Sequence, residues 1–223
     1  RMLMTILAID FGRTQVKSAL VSEEFAIEKS LPTQSSPQTL EQAIDVIDQI
    51  VTSVETDLSG IAISVPGTVY TEEGVIYHGG LLRFFHGFRI KEVLEAKYHL
   101  PVMALNDGKA AALAELATGH LQGVTNGAAL VLGSGLGGGF IINGKLFQGS
   151  HFQAGELTFL LPVQMEKVDP SLMRGMTLSA VGLITKVNEV LGNSDLKDGL
   201  AAFKAINAGD KTVYSLFENY CRN

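Results

Sequence analysis

The sequence predicts an α/β fold, because apolar strand-like runs alternate with segments whose apolar residues recur at helical spacing. Residues 3–9, 60–65 and 100–105 are the strand-like runs, and each ends in polar or glycine-rich residues. Residues 36–54 and 91–97 carry the intervening helical patterns. Ligands of open α/β sheets bind at the carboxyl ends of the strands, so we expect functional residues where these runs end.

Composition narrows the possible partners. The chain of 223 residues is long enough for one large domain or two small lobes, and 46% of its residues are hydrophobic. Its net charge of −6 is not offset by a basic block, which disfavours nucleic acid and favours a small ligand. Cys221 is the single cysteine, which excludes a disulfide framework or a Cys-rich zinc site and fits a cytoplasmic location. No run reaches the roughly 18–20 apolar residues of a membrane span, so no membrane partner is expected.

The first strand ends in a polar glycine turn. Asp10, Gly12 and Thr14 lie in this turn, and the run SALV then resumes a strand. A carboxylate at the strand exit can lie near Mg²⁺, and a hydroxyl four residues later can lie near a phosphate. A solvated hairpin turn is the alternative interpretation of the same residues.

Residues 36–88 contain a predicted helix, a predicted strand and an aromatic segment, and a ligand could bind near the end of that strand. Ser36-Pro37 is expected to cap a helix, with apolar residues recurring from Leu40 to Val54. The strand at 60–65 ends at Pro66-Gly67, which leaves backbone groups available at its carboxyl end. Residues 74–88 are rich in aromatic residues and glycine, and they suit either a loop over a pocket or a hydrophobic lid packed on the core.

Asp107 lies where the strand at 100–105 gives way to a strong helix-forming segment that ends at Gly119. Two interpretations are open. Asp is among the best N-cap residues, so Asp107 could simply cap the helix. A carboxylate held at a strand exit beside Asn106 could equally act as a general base toward an alcohol.

A glycine-rich segment follows, and we interpret it as a phosphate-binding turn. Side chains would block the approach of amides to phosphate oxygens, and several positions are expected to need a positive φ. A dinucleotide or P-loop motif would require a helix directly afterwards, whereas Phe140–Ile142 predicts a strand that ends at the Asn143-Gly144 turn. A tight turn without a ligand is the alternative. The predicted phosphate turn comprises Gly133, Ser134, Gly135, Gly137, Gly138 and Gly139.

Taken in order, these motifs resemble the ROK family of repressors, open reading frames and sugar kinases. The resemblance covers roughly residues 3–160 and implies an α/β two-lobed actin-like ATPase (ribonuclease H-like) fold, with mixed sheets flanked by helices. It predicts an N-terminal lobe over 1–119 and a C-terminal lobe over 120–223. The motifs that carry the resemblance are Asp10-x-Gly12-x-Thr14, Ser64-Val-Pro66-Gly67, Leu105-Asn106-Asp107, the glycine turn, Asn143-Gly144-x-Leu-Phe-x-Gly149 and Ala154-Gly155-Glu156.

The resemblance implies an ATP-dependent sugar kinase that uses Mg²⁺. It makes Asp107 the general base toward the C6 hydroxyl of glucose, a related hexose or a β-glucoside. Asn106 and Glu156 become sugar-hydroxyl ligands, and Gly67 becomes a backbone contact to the sugar. The residues that it assigns to phosphate binding are Asp10, Gly12 and Thr14 in the first motif, and Gly133, Ser134, Gly135, Gly137 and Gly138 in the second, with Asp10 also facing Mg²⁺.

The sequence departs from the family pattern in two respects. Many members carry a histidine three residues after the Gly-Glu pair and then a cysteine cluster, whereas this chain has Phe159 and no cysteine before Cys221. Zinc is therefore predicted absent, as in the zinc-less branch of β-glucoside kinases, and His151 is a candidate replacement ligand. The helical patterns at 177–191 and 196–220 do not include the family's adenine-side strand and glycine turn, so the C-terminal part of the family fold is expected to be missing from this sequence. Two interpretations stay open: a truncated or incompletely represented kinase, or a fragment that keeps the sugar cleft and has lost transfer activity.

A rival hypothesis from another functional class is a sugar-sensing binding protein without kinase activity. A DNA-binding repressor is a third option, but such members carry an N-terminal helix-turn-helix, and here the phosphate motif already begins at residue 10. The resemblance also implies a homodimer.

Overall fold

The computed structural model describes residues 4–161 and 173–222. The strands are β1 (Ile6–Phe11), β2 (Gln15–Val21), β3 (Ile27–Ser30), β4 (Gln34–Ser35), β5 (Gly60–Val65), β6 (Thr68–Tyr70), β7 (Val75–His78), β8 (Val102–Asn106), β9 (Gly127–Leu132), β10 (Leu136–Ile142) and β11 (Lys145–Phe147). The helices are α1 (Leu40–Thr52), α2 (Ile90–Tyr98), α3 (Asp107–Thr118), α4 (Arg174–Thr177), α5 (Ala180–Leu191), α6 (Gly199–Asn207) and α7 (Lys211–Arg222). Short 3-10 helices span Arg83–Phe85 and Leu157–Phe159.

The chain divides into two compact units. The first comprises Arg1–Ala129 and Gly139–Gly155, and the second comprises Leu130–Gly138 and Glu156–Asn223. This division differs from the two lobes predicted from the sequence, which meet at residues 119 and 120. The chain passes between the units inside β9, inside β10 and after Gly155, and the lobes over 1–119 and 120–223 remain a prediction.

The main sheet of the first unit is mixed, as predicted. Its strand order is β3-β2-β1-β5-β8, and β4 pairs with β2. Strand β5 is parallel to both β1 and β8, whereas β2 runs antiparallel to β1. Asp10 pairs with Ser64, and Ser64 pairs with Leu105. The carboxyl ends of the three parallel strands therefore meet at one edge of the sheet.

The core of this unit consists of alternate apolar side chains of the strands and of the apolar side chains on one face of each flanking helix. On β1, Leu7, Ile9 and Phe11 are buried, which is the period-2 pattern of a strand. The helices add residues at helical spacing, and each buried side chain of this size stabilises the fold by about 1.5–3 kcal/mol. These helix residues are Ala43, Ile47 and Ile50 on α1 and Ile90 and Leu94 on α2.

The start of α1 differs from the prediction. Thr39 is the N-cap, and its side chain accepts a hydrogen bond from the Gln42 amide. The prediction that Ser36-Pro37 caps this helix is therefore wrong. Ser36 serves the turn after β1 instead, because its hydroxyl donates to the Gly12 carbonyl over 2.9 Å and its amide donates to the Thr14 carbonyl over 3.1 Å.

The structure shows that residues 74–88 pack on the core, and that Arg83 and His86 of the same segment also line surface cavities. Ile76 and Phe85 are fully buried, and Leu82 is nearly so. The Phe85 ring meets Phe11 edge-on, with 5.3 Å between centroids. This segment therefore anchors β6 and β7 against the main sheet.

The predicted hairpin system after residue 127 is confirmed. However, Gly137, Gly138 and Gly139 lie in the second strand and not in the turn where they were expected. The second strand, β10, begins at Leu136, so the turn is confined to residues 133–135. None of the glycines from 133 to 139 has a positive φ, so the expectation that several of them need a positive φ is wrong. The positive values fall on Asn143 (54°) and Gly144 (69°), as an Asn-Gly hairpin turn requires.

In the second unit, α5, α6 and α7 share a small hydrophobic core of Leu183, Val187, Ala202, Ile206 and Val213. The helical stretch predicted at 196–220 is interrupted, because Gly209 adopts a φ of +75° and Asp210 accepts a hydrogen bond from the Thr212 amide. Within residues 4–161 and 173–222, no helix is long and apolar enough to cross a membrane.

Candidate active site

Four residues singled out in the sequence lie at one edge of the main sheet. Asp10 is near the end of β1, Gly67 follows β5, and Asn106 and Asp107 join β8 to α3. Only β5 separates β1 from β8. Neighbouring strands lie about 4.8 Å apart, so the backbones of β1 and β8 are about 10 Å apart at this edge. The structure therefore brings the two predicted functional acids, Asp10 and Asp107, to the same edge.

Asn106 is the N-cap of α3. Its backbone is extended, and its Oδ1 accepts a hydrogen bond from the Lys109 amide over 3.0 Å. The interpretation of Asp107 as the cap is therefore wrong, because Asp107 is already the first helical residue. Asparagine and aspartate cap helices about equally well, so the sequence alone did not distinguish the two neighbours.

The amide group of Asn106 also fixes the geometry around it. Nδ2 donates to the Gly67 carbonyl over 2.8 Å and to Asp107 Oδ1 over 3.1 Å. Asn106 is only 5% exposed, so these partners replace water. One side chain thus ties the end of β5 to the start of α3 and orients the Asp107 carboxylate.

Asp107 is exposed and carries its carboxylate at the N-terminus of α3. Its Oδ1 accepts hydrogen bonds from the Gly108 amide over 2.8 Å and from Asn106. Both donors and the positive end of the helix dipole stabilise a negative charge at this position. The group is therefore placed to accept a proton from a bound ligand.

Asp10 and the turn after it form the second part of this edge. Ser64 on β5 donates a hydrogen bond from its hydroxyl to Asp10 Oδ1. The turn is closed by the Gly12 amide, which donates to the Gln15 carbonyl over 2.9 Å, and by Ser36. Thr14 is exposed at the tip, beside a cavity of about 420 Å³ that Arg13 and Arg83 also line. Thr14 is therefore accessible at the tip of the turn, while hydrogen bonds from the Gly12 amide and the Ser36 hydroxyl hold the base of the turn.

Gly67 occupies a position that excludes any side chain. Its φ is +95°, and a Cβ atom there would lie 2.0 Å from the His78 carbonyl oxygen and 2.6 Å from the Gly80 nitrogen. A cavity of about 440 Å³, lined by His78, Gly79, Gly80, Arg83 and His86, adjoins this contact. The tight packing positions the Gly67 carbonyl that Asn106 binds.

The predicted second phosphate motif lies in the second unit. Gly133 accepts a hydrogen bond through its carbonyl from the Ala180 amide over 3.0 Å, at the start of α5. A Cβ atom at Gly135 would lie 3.2 Å from the Gly175 carbonyl. Ser134 is exposed between them. The turn is therefore fixed by α4 and α5, while Gly137 and Gly138 lie in β10.

Gly139 has a packing role instead of the predicted place in the turn. It belongs to the first unit, and a Cβ atom there would lie 2.6 Å from Ala112 Cβ and 3.2 Å from Lys109 Cα. The close approach of β10 to α3 thus accounts for glycine at this position.

The remaining predicted ligands belong to other segments of the chain. Glu156 is half-buried in the second unit and precedes the 3-10 helix Leu157–Phe159. His151 is exposed on a loop of the first unit that the Ala154 amide closes by donating to the Gln148 carbonyl over 3.0 Å. Their roles as sugar ligands remain predictions.

Among the described residues, no group of three or more His, Cys, Asp or Glu side chains is arranged to hold a metal ion. The expected absence of zinc is a separate prediction, and it remains one. The Asp10 carboxylate and the Ser64 hydroxyl are hard oxygen ligands, and one or two such groups with water are what Mg²⁺ commonly takes from a protein.

Three residues shape the site in ways that the sequence analysis did not predict. Ser64 contacts Asp10, Ser36 secures the first turn, and Lys109, two residues after Asp107, is only 1% exposed. A serine beside a predicted strand end gives no local signal of its long-range partner. The apolar surroundings of Lys109 in the segment KAAALAE could have indicated that this lysine is buried.

Comparison with known proteins places this site in a family context. The model of the ROK family matches residues 6–168. A beta-glucoside kinase of Listeria monocytogenes is 36% identical over 157 residues, which cover 70% of this chain and 53% of that protein. The chain thus spans about half the length of the curated relatives it matches.

Two solved structures extend the comparison. The Lmo2764 protein of Listeria monocytogenes superposes with a TM-score of 0.81 at 30% identity, covering 97% of this chain and 75% of that one. A ROK family protein of Streptococcus pneumoniae, solved in complex with sucrose, gives a TM-score of 0.78 at 34% identity, covering 97% and 72%. The predicted actin-like ATPase fold is confirmed by these likenesses.

Proposed function

Because the chain belongs to the ROK family, we propose that it acts in the ATP-dependent phosphorylation of a sugar hydroxyl. The observation that carries the proposal is the shared sheet edge, at which Asp107 is oriented by Asn106 and Asp10 lies two strands away. Phosphoryl transfer needs a positioned alcohol and stabilised phosphate charge, and this edge offers groups suited to both.

In the proposed reaction, Asp107 accepts the proton of the C6 hydroxyl as the hydroxyl oxygen forms a bond to the γ-phosphorus. The bond from that phosphorus to its bridging oxygen breaks, and ADP leaves. Asp107 suits the base role because it is exposed at a helix N-terminus and held by the Gly108 amide and Asn106. An oriented carboxylate within hydrogen-bond reach of the alcohol contributes typically 10²–10⁴-fold to such a step.

Asn106 acts mainly as a positioning residue in this proposal. Both hydrogens of its amide are engaged, one by Gly67 and one by Asp107. Its Oδ1 already accepts from Lys109, so a sugar hydroxyl would reach only the remaining lone pair of that oxygen. Gly67 and Glu156 are proposed as further sugar contacts, and His151 as an additional one, on the family resemblance.

The phosphate side is proposed on the same basis. Asp10 would hold Mg²⁺, and Mg²⁺ when bound would neutralise part of the charge on the transferred phosphoryl group. Amides of Gly12 and Thr14 would bind phosphate oxygens in the first motif. The corresponding residues of the second motif are Gly133, Ser134, Gly135, Gly137 and Gly138.

The proposed substrate class is glucose, a related hexose or a β-glucoside. A relative named beta-glucoside kinase and a family structure that holds sucrose both support a sugar, and the first supports a glucoside. Phe159 is 58% exposed at the position where many members have a histidine, and an apolar side chain there would tolerate a substituted sugar. We also propose that the protein is a homodimer and that it is located in the cytoplasm.

The test is ADP release with a panel of sugars, in wild type and in Asp107→Asn. The asparagine keeps the Oδ1 acceptor for Gly108 and Asn106 but is a very weak base, so kcat should fall at least about 100-fold. Asp57→Asn removes an exposed acid from the loop before β5 and should leave kcat unchanged. Full turnover in Asp107→Asn would exclude the proposed base.

Calorimetric titration separates the kinase from the sugar sensor. A kinase should bind a non-hydrolysable ATP analogue, and more tightly when sugar is present. Sugar binding without any binding of the analogue would support the sensor instead.

A further inference from the structure

A continuous row of aromatic rings lies on the first unit next to the candidate site. The aromatic row consists of Phe152, Tyr70, Tyr77 and His86. Ring centroids are 4.8 Å apart for Phe152 and Tyr70, 5.2 Å for Tyr70 and Tyr77, and 6.3 Å for Tyr77 and His86. Tyr77 is 50% exposed although it stacks almost parallel on Tyr70, at 9°. A row of joined rings at the surface suggests a ligand surface more strongly than a single exposed ring does.

The row is held rigidly at its Phe152 end. Phe152 has a φ of +56°, in the left-handed region that a residue with a side chain rarely adopts. The loop that carries it is closed by the Ala154 amide on the Gln148 carbonyl, and Gln148 Oε1 accepts a 2.9 Å hydrogen bond from the Thr71 hydroxyl. Strain of this kind persists where the surroundings dictate it, and here it directs the Phe152 ring onto Tyr70.

The row is also continuous with the site. Strand β6 begins directly after Gly67, and β7 ends at His78, whose carbonyl packs against Gly67. The 440 Å³ cavity that adjoins Gly67 is lined by Arg83 and by His86, the last ring of the row. A ligand held at Gly67 and Asn106 could therefore extend over this cavity onto the rings.

We propose that the aromatic row binds the second ring of a glycoside whose first ring occupies the site at Gly67, Asn106 and Asp107. The inference rests on the proposed function and deepens it. A sugar ring has apolar C–H faces that pack on aromatic faces, and hydroxyls at its rim that accept hydrogen bonds from groups such as the Arg83 guanidinium and the histidine rings. The row therefore selects a two-ring glycoside over a free hexose.

The experiment is calorimetric titration of the full chain with glucose and with cellobiose, without nucleotide. In Tyr77→Ala the ratio of the cellobiose Kd to the glucose Kd should rise about 3- to 10-fold, the effect of one aromatic contact. Tyr77→Phe keeps the ring and should keep the wild-type ratio. Phe25→Ala removes a 64% exposed aromatic from the turn between β2 and β3, and it should also leave the ratio unchanged.

The outcomes separate the two levels of the proposal. If wild type binds neither sugar, the proposed function fails. If wild type binds glucose but not cellobiose, or if Tyr77→Ala leaves the ratio unchanged, only the aromatic-row inference fails. A Tyr77→Ala protein that sediments as a smaller species with an unchanged ratio would make the row a protein contact and would also overturn the inference. Should Tyr77→Ala not fold, Tyr77→Leu, which keeps apolar bulk without the ring, provides the same test.

Discussion

Asn106 shows how much one side chain contributes at this site. It caps α3 through Oδ1, and through Nδ2 it holds both the Gly67 carbonyl and Asp107. The Lys109 amide needs an acceptor, whereas the Gly67 carbonyl and the Asp107 carboxylate need donors. The Asn106 amide group can therefore satisfy all three partners in only one orientation. Its role is to set the direction of the Asp107 carboxylate.

We predict that Asn106→Asp is destabilising even though aspartate is an equally good cap. The substitution replaces the amide donors by an oxygen that faces the Gly67 carbonyl and Asp107 Oδ1, which should cost about 1–3 kcal/mol. Urea unfolding at low and high salt measures the loss. Asn106→Ser, which caps without adding charge, is the matched control, and only the aspartate variant should recover stability with salt. Equal stability of Asn106→Asp and wild type would contradict the arrangement.

Gly67→Ala should be severely destabilising. The new methyl group would meet the His78 carbonyl at 2.0 Å and would also impose strain at a φ of +95°. We expect a loss of more than about 2 kcal/mol. Gly87→Ala is the control, because Gly87 has a φ of +74° with nothing within 4 Å of the added atom. The control should lose only the conformational part, roughly 1 kcal/mol, and an equal loss in both variants would show that no clash occurs at Gly67.

At the level of elements, a polar cluster joins α1 to α2. Lys97 and the Tyr98 hydroxyl both donate hydrogen bonds to Asp48. Burial alone would raise the pKa of the Asp48 carboxyl, but Lys97 and Tyr98 outweigh it and hold that pKa below 3.8. Burial and the neighbouring Asp48 raise the pKa of Tyr98 above 10.0. The folded state therefore favours ionised Asp48 and protonated Tyr98.

These directions define a pH window. The depressed pKa of Asp48 means that its contribution is present above about pH 4 and is lost as the pH falls through the folded value. The raised pKa of Tyr98 means that its contribution is present below about pH 10 and is lost as the pH rises. The cluster therefore stabilises the contact between α1 and α2 fully at neutral pH.

We predict that Asp48→Asn lowers the free energy of unfolding by about 1 kcal/mol at pH 7. The difference from wild type should shrink progressively as the pH falls from about 4 through the lowered pKa of Asp48, since the wild-type carboxyl then becomes protonated as well. Urea unfolding across this pH range tests the prediction. Asp45→Asn, at an exposed position of the same helix, is the control and should show no such dependence. A difference that stays constant down to pH 2 would contradict the assignment.

At the level of the whole molecule, each compact unit has a hydrophobic core of its own. The groups proposed to orient the sugar hydroxyl, Asn106 and Asp107, belong to the first unit, whereas Glu156 and Gly133–Gly138 belong to the second. A ligand that binds only the folded protein stabilises it by RT ln(1 + L/Kd), where L is the concentration of free ligand.

We predict that glucose at about 100 times its Kd adds about 2.7 kcal/mol to stability. For a chain of this size, that corresponds to a rise of roughly 5–10 °C in the melting temperature. A non-hydrolysable ATP analogue should add a further rise, and sorbitol at the same concentration serves as the control. Scanning calorimetry makes the measurement. An analogue without effect in the presence of glucose would argue against a kinase.

Local patterns predicted many of the elements correctly. The run GIAISV is β5 from its first to its last residue, α3 ends at Thr118 with Gly119 as its C-cap, and Asn143-Gly144 forms the hairpin turn. Each depends on neighbours within a few residues: the apolar run, the glycine after a helix and the Asn-Gly pair. The same reasoning singled out Asp10, Gly67, Asn106 and Asp107, because polar residues and glycines at strand exits are visible along the sequence, and their roles remain predictions.

The failures concern partners that are distant in the chain. Ser36 has the local signature of a cap but binds Gly12, 24 residues away, and its place at the helix start is taken by Thr39. Gly139 was assigned to phosphate but makes room for α3. The helical pattern after residue 196 did not show that Gly209 would interrupt it. In each case a long-range contact or a backbone angle overrides a local preference.

The sequence by itself determined the α/β class, the strand exits that carry polar residues, and the order of motifs that places the chain in its family. These follow from periodicity and residue type, which act over a few positions. Only the tertiary structure decided that Asn106 caps α3 while Asp107 remains exposed, that Ser64 contacts Asp10, and that Tyr70, Tyr77 and Phe152 form one row. The physical reason is that strand register and packing join Ser64 to Asp10 and Phe152 to Tyr70 across long stretches of chain, which leaves no periodic trace in the sequence. The choice between Asn106 and Asp107 is local, but the two residue types cap helices about equally well, so only the folded backbone decides it.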